Sequence, residues 1–434
     1  MTREGGRIST ELQDFQFVTP TLDHTTAAGA AGRYSLVTWA VLSFLIAVLY
    51  FPFSIRYGGT GIFLQAGDCL LRGEPLSKCA LGYSYPPLLA LFMAPLSLLP
   101  PRAGNLAWYA ILIASIYGCF WTCESLVIRA FRLTRRELFW VRLFTVILSL
   151  KFVLAVITNQ AYDTLVFFFI LVGLYGLSEN KTLLGAFGLA TATALKATPL
   201  LMLLYPLLLR KWKLFAVGAG LCVVLSFLPE ILFPPNDPDA GHLWTWLVEF
   251  AVGGLFDTRA AEGYEQFFQG SSNLNQSLKA FVYRLVDPRD LAWGEFTAHA
   301  QVILYAVYVV YCLTALAIVL RAAKTEGAYL WGGSVVVISM LLLSPISSKS
   351  HFVVLLLPHM AIVAYLLKHR AAWTATLPLL CASFVLNLLS SRWPMGRVLS
   401  EKATSFGSIT IATLLLLAVV AVIVFRGRRG PQPV

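Results

Sequence analysis

Charge is what this chain of 434 residues has least of. Asp, Glu, Lys and Arg make up 13% of it, about half the share of a soluble globular domain. No soluble domain is available to carry a basic face, so the net charge of +11 does not point to nucleic acid. The seven cysteines show no metal spacing. Cys119 and Cys123 lie four apart on an apolar run without histidine neighbours and read as packing residues. Asp237 and Asp239 flank Pro238, which reads as a turn and not as a metal pair. No Ser-His-Asp order, no internal repeat and no phosphate-cradling glycine loop is present; Gly58-Gly59-Thr60-Gly61 reads as a flexible helix entry. Apolar sequence begins near Tyr34, so no cleavable signal peptide is expected, and residues 1–33 read as a cytoplasmic tail.

Apolar sequence is what remains. Hydrophobic residues make up 58% of the chain, and the mean hydropathy is +0.73. The expected fold is all-α and polytopic, because lipid leaves backbone groups only internal hydrogen-bond partners. Twelve candidate spans run near 35–55, 104–126, 137–157, 162–178, 183–195, 198–209, 214–233, 299–321, 328–346, 352–368, 372–390 and 407–426. Segment 86–99 is short and bounded by prolines, and it reads as an interfacial helix. With it removed, the basic clusters at Arg129–Arg136, Arg210–Lys213, Arg321–Lys324, Lys368–Arg370 and Arg426–Arg429 all fall on one side. By the positive-inside rule that side is the cytoplasm, and both termini lie there. The membrane domain is expected over 34–426, with a tail at 427–434 and long outer loops at 56–103 and 234–298.

The outer side also receives several polar groups that an apolar chain would not carry without reason. Lys196 stands at the vertex of a proline-bounded hairpin with no acidic neighbour in sequence. It reads as a snorkelling lysine or as a cation for a lipid phosphate. Asp163 is an N-cap or a functional carboxylate, while Asn159 and Gln160 offer amides suited to sugar hydroxyls. The turn Ser344–His351 is dense in polar groups, including Lys349; His351 is an interfacial histidine or a proton-handling group. Ser271 and Ser272 lead into Asn275-Gln276-Ser277, which fits a glycosylation sequon and precedes an amphipathic helix with Lys279 and Arg284. Trp244, Trp246, Tyr264, Phe267 and Phe268 are interfacial aromatics or sugar-stacking groups. Cys69 and Cys79 can pair if their loop faces an oxidising compartment.

Five local patterns occur in order. They are Leu70-Leu71-Arg72-Gly73 with Tyr85-Pro86-Pro87-Leu88 and Pro95-Leu96-Ser97; Asn159-Gln160; Gly185 and Gly188 before Lys196-Ala197-Thr198-Pro199; Asn275-Gln276-Ser277-Leu278 with Arg284; and Ser344-Pro345-Ile346-Ser347 with His351. Together they resemble the GT-C glycosyltransferases of the mycobacterial α-mannosyltransferase type, glycosyltransferase family 87. The resemblance implies a GT-C-like fold in a bacterial cytoplasmic membrane, with an outward-facing site. It implies a polyprenyl-phosphate donor of mannose or another hexose or pentose, a lipid or envelope glycan acceptor, and neither cofactor nor metal. A loop carboxylate would activate the acceptor and basic groups would hold the phosphate. The family's acid would fall at Gly59 or Thr60, where no carboxylate stands. The nearest carboxylates are Asp68 and Glu74, and Asp68, eight residues beyond Thr60, is the first candidate replacement, with Asp163 and His351 as alternatives and loss of catalysis as the third. Substrate contacts would come from Lys196, Asn159, Gln160, Tyr85, Asn275, Gln276, Arg284 and Lys349. A non-catalytic relative that binds a lipid-linked sugar, or a lipid-linked saccharide transporter, is the alternative function.

Overall fold

The computed structural model describes residues 24–56, 60–80, 82–237, 241–252, 273–286, 297–325 and 327–426. Gly58, Gly59, Pro238, Asp239, Tyr264, Phe267, Phe268, Ser271, Ser272 and the tail at 427–434 lie outside these residues. The described chain is all-helical, with no strand among its residues. The principal helices are α1 (His24–Arg56), α2 (Gly61–Leu71), α3 (Pro87–Ser97), α4 (Pro101–Phe131), α5 (Arg135–Asn159), α6 (Asp163–Ser178), α7 (Thr182–Leu195), α8 (Leu200–Leu208) and α9 (Trp212–Leu232). They continue with α10 (Leu278–Val286), α11 (Ala298–Ala322), α12 (Ala328–Leu343), α13 (Leu356–Lys368), α14 (Trp373–Leu389), α15 (Arg392–Ser405) and α16 (Ser408–Arg426).

Among the described residues, 8 helices are long and apolar enough to cross a membrane. Helices α6, α7 and α12 are apolar but shorter, at 16, 14 and 16 residues. The first helix starts ten residues before the sequence-predicted boundary, because the alanine-rich end of the polar lead is itself helix-forming. Local stops follow from chemistry. Thr134 and Glu137 form a capping box at the start of α5. Pro87 and Pro101 occupy first-turn positions of α3 and α4, where their missing N–H costs nothing.

The segment 86–99 is an 11-residue helix, α3, about half the length needed to span hydrocarbon. It packs on α2 as the second arm of a roof. A Cβ at Gly67 would lie 2.8 Å from the backbone of Met93 and Ala94, so only glycine permits this approach. Between the arms Cys69 and Cys79 form a disulfide with Cα atoms 6.0 Å apart.

Side-chain contacts sort the bundle into two ends. At one end Lys368 pairs with Glu137 at 2.8 Å, Lys211 donates to Asn180 at 2.9 Å, and Arg129 pairs with Glu179. At the other, Thr60, Gln160, Lys196 and the 344–351 turn converge. The basic clusters and the polar groups predicted to face outward therefore occupy opposite ends of the bundle.

Candidate active site

Gln160 closes α5 in the left-handed backbone region, at φ 50°, which non-glycine residues rarely occupy. Its side-chain oxygen accepts the Thr60 N–H at 3.0 Å, and its carbonyl accepts the Trp108 Nε1–H at 3.0 Å. The roof and α4 thus hold the turn from two sides and over-determine its strain. Asp163 is thereby fixed as the first residue of α6, where the helix dipole favours negative charge.

Lys196 lies between α7 and α8 with an extended backbone, φ −156° and ψ 133°. Its Nζ donates to Asp163 Oδ1 at 2.6 Å and stands 5.5 Å from the centre of the Tyr162 ring. The lysine that has no acid near it in sequence therefore meets one across the helix pair. His351 Nε2 is 3.7 Å from the same oxygen, just beyond hydrogen-bond range. The side chains of Asp163, Lys196 and His351 are 6%, 14% and 19% exposed, so the three form one largely desolvated cluster. A carboxylate so placed can take a proton from a hydroxyl, and the ammonium can offset negative charge developing beside it.

Aromatic rings wall this cluster. Tyr162 packs edge-on against Tyr85 at 5.0 Å and Phe63 at 5.8 Å, and Phe63 also meets Trp108 at 6.0 Å. Tyr85 thus joins the roof to the Asp163 turn. Thr60, at the position expected to carry an acid, is fully buried, and its hydroxyl has no hydrogen-bond partner.

The 344–351 turn is clamped from the segment that leads into α10. Asn275 donates to the Pro345 carbonyl at 2.9 Å and accepts from the N–H groups of Ser277 and Ser347, both at 3.0 Å. Gln276 donates to the Thr404 carbonyl at 3.0 Å, and Arg284 donates to the Asn275 carbonyl at 2.8 Å. Burial pushes the Arg284 guanidinium down to about 10. Asn275 and Gln276 are completely buried; the Asn275 side chain and the Gln276 backbone N–H, which donates to the Ser347 carbonyl at 2.8 Å, hold the turn, and the sequon at Asn275 is inaccessible in the folded chain. Asn159 donates to Ser350 Oγ at 2.9 Å, which ties this turn to the end of α5. Lys349 leads away from Asp163, with its Nζ 3.4 Å from the Ser390 carbonyl. Burial and the nearby Arg392 charge hold its ammonium below the usual lysine range.

Asp68 is placed differently. The buried face of α2 carries Phe63, Ala66, Gly67 and Leu70, which turns Asp68 outward. Its side chain is 54% exposed and pairs with Arg72 at 3.0 Å, and Glu74 pairs with the same arginine at 3.2 Å. Cys69, Glu74 and Cys79 are the described group whose atoms lie close enough to hold a metal ion, but the two sulfurs are consumed by their disulfide.

The surroundings of Lys151 escaped sequence reasoning. Lys151 interrupts an apolar run and was visible as an ionisable group at membrane depth, although nothing in sequence named its partners.

No curated protein and no solved structure matches the chain. A model of glycosyltransferase family 87 matches residues 83–345. That stretch covers well over half of the chain and contains Tyr85, the Asn159–Asp163 turn, Lys196 and the Asn275 clamp, while Asp68, Lys349 and His351 lie outside it. The chain, a polytopic membrane glycosyltransferase, belongs to glycosyltransferase family 87.

Proposed function

We propose that this enzyme transfers a sugar, mannose or another hexose or pentose, from a polyprenyl-phosphate donor to a lipid or envelope glycan acceptor. The reaction runs at the outer face of a bacterial cytoplasmic membrane, with both termini inside and without cofactor or metal. The observation that carries this reading is the Asp163–Lys196–His351 cluster, set beneath the roof and away from the basic end of the bundle. The roof disulfide supports an outward orientation, since such bonds persist in oxidising compartments.

In this reaction the acceptor oxygen attacks the anomeric carbon. Asp163 takes the hydroxyl proton, and the bond between that carbon and the phosphate oxygen breaks. Its electron pair leaves with polyprenyl phosphate. Lys196 holds Asp163 in register and lowers the cost of the growing negative charge. His351, 3.7 Å from Asp163 Oδ1, passes the proton onward once that gap closes in the substrate complex. Asp163 is better placed for this role than Asp68, which faces solvent beside Arg72.

Membrane vesicles supplied with polyprenyl-phosphate-[3H]mannose test the assignment. Asp163→Asn is expected to lower transfer by about 10²–10⁴-fold, the usual worth of a general base, while Asp68→Asn leaves it near wild type. Loss in Asp68→Asn with full activity in Asp163→Asn would move the base to the roof. The empty acid position at Gly59 and Thr60 also favours a second reading, a relative that binds the donor without turning it over. Saturable donor binding by folded wild-type protein, with no product, would select that reading.

A further inference from the structure

Two further lysines meet at the same end of the bundle with no carboxylate between them. Lys151 lies two turns before the end of α5. Its Nζ donates to the Asn387 carbonyl at 2.8 Å and to the Ser390 hydroxyl. Lys349 reaches the same residue from the 344–351 turn, with its Nζ 3.4 Å from the Ser390 carbonyl. Both side chains are half-buried, and each of these partners is a neutral oxygen at the end of α14. Glu401, the acid acting on Lys349, is itself taken by Arg392 at 2.9 Å and Arg397 at 3.0 Å.

Two other cations in the bundle are each matched by an acid. Lys196 has Asp163, and Arg142 has Glu124 at 2.7 Å. Two like charges on one serine are costly at membrane depth. The partial negative charge of a helix C-terminus offsets only a fraction of one of them. Asn387 Oδ1 is buried beside this place with no hydrogen-bond partner, so protein groups alone do not close the cluster. Helix α14 buries little of its surface in the bundle, leaving an apolar flank along which a lipid chain can lie.

We propose that Lys151 and Lys349 bind the phosphate ester of a membrane lipid, while the Ser390 hydroxyl, which donates to the Asn387 carbonyl at 2.9 Å, positions the Lys151 ammonium. Each ammonium can donate to an oxygen of one tetrahedral phosphate, and Asn387 Oδ1 accepts from a protonated oxygen or a headgroup hydroxyl. The phosphate comes either from a polyprenyl phosphate or from a phospholipid headgroup. Only the first source rests on the transferase reading given above. In that case Lys349 places the phosphate two residues along the turn from His351.

Purified full-length protein in detergent is titrated separately with a short-chain polyprenyl phosphate, phosphatidylglycerol and inorganic phosphate. Thermal shift and native mass spectrometry read binding. At least one lipid should raise the melting temperature, and Lys151→Met and Lys349→Met should each weaken its binding by about tenfold or more. Lipid-free Lys151→Met should melt no lower than wild type, because an uncompensated buried charge is removed. A response to polyprenyl phosphate alone assigns the donor; an equal response to phosphatidylglycerol assigns a general headgroup. Wild-type affinity in both variants overturns the site. So does a lower melting point for Lys151→Met with the lipid response intact, which marks a purely structural lysine. A response to inorganic phosphate at the same concentration overturns the lipid assignment. Lysine-dependent lipid binding without sugar transfer would remove the transferase reading and leave this site standing.

Discussion

Glu124 shows how single residues settle the register of this bundle. Its carboxylate is 1% exposed and accepts from Arg142 Nε at 2.9 Å and Nη2 at 2.7 Å. It also accepts from Trp39 Nε1 at 2.5 Å and from the Ser35 hydroxyl. With its acceptor sites filled, one side chain ties α1, α4 and α5 together. Removing Glu124 leaves Arg142 buried without its counter-charge, and such losses cost about 3–5 kcal/mol. Glu124→Ala is therefore expected to melt far below wild type in detergent, and Glu124→Ala with Arg142→Met to recover most of that loss. A single variant as stable as wild type would show that the pair does not hold these helices. Ionisable residues within apolar runs are legible in sequence, and Glu124, Lys151 and Lys196 all stand out in that way. Their partners are not: Arg142 is on the next helix, and Asp163 is 33 residues from Lys196. The facing of Asp68 depended on which side of α2 meets α3, and that side is set by Gly67 and Phe63 together.

At the scale of elements, the hairpin that presents Lys196 depends on how closely α6 and α7 approach. A Cβ at Gly176 would lie 2.3 Å from the Gly185 nitrogen, and one at Gly188 would lie 2.5 Å from the Gly173 nitrogen. Close backbone packing through small residues is a principal source of helix association where no hydrophobic drive exists. Gly176→Ala is expected to destabilise the protein by about 1–3 kcal/mol, as overpacking does. It should also lower transferase activity by shifting Lys196 against Asp163. Gly220→Ala has open space around it and should be neutral or slightly stabilising. Equal melting points for the two variants would show that the contact is not close in the folded protein. The apolar runs and proline stops made most helices legible, including the roof pair. Helix α15 was not, and its residues read as an outer loop. Its composition is polar, Gly396 interrupts it at φ 69°, and tertiary contacts with α14 and α16 hold it in place. Helices α6, α7, α8 and α12 read as crossings, yet each is too short to span unless the bilayer thins around it.

For the whole molecule, the separation of its ends makes orientation testable without a substrate. One end gathers Lys211 near Asn180 and Lys368 near Glu137, while the other carries the roof, whose Gly73 carbonyl accepts from the Asn236 N–H at 2.8 Å. Positive charge is retained on the cytoplasmic side during insertion, so the roof end should face outward. Asp237 and Lys211 are both exposed and sit at opposite ends. In a background where the exposed thiols Cys312 and Cys381 are replaced by alanine, Asp237→Cys should react with a membrane-impermeant maleimide on intact cells. Lys211→Cys should react only after the membrane is opened. Because the roof packs on the Asp163 turn through Thr60, Phe63 and Tyr85, labelling of Asp237→Cys from outside would also set the side from which donor and acceptor reach the carboxylate. The reverse pattern would place the Asp163–Lys196–His351 cluster on the cytoplasmic side and exclude an outer-face acceptor.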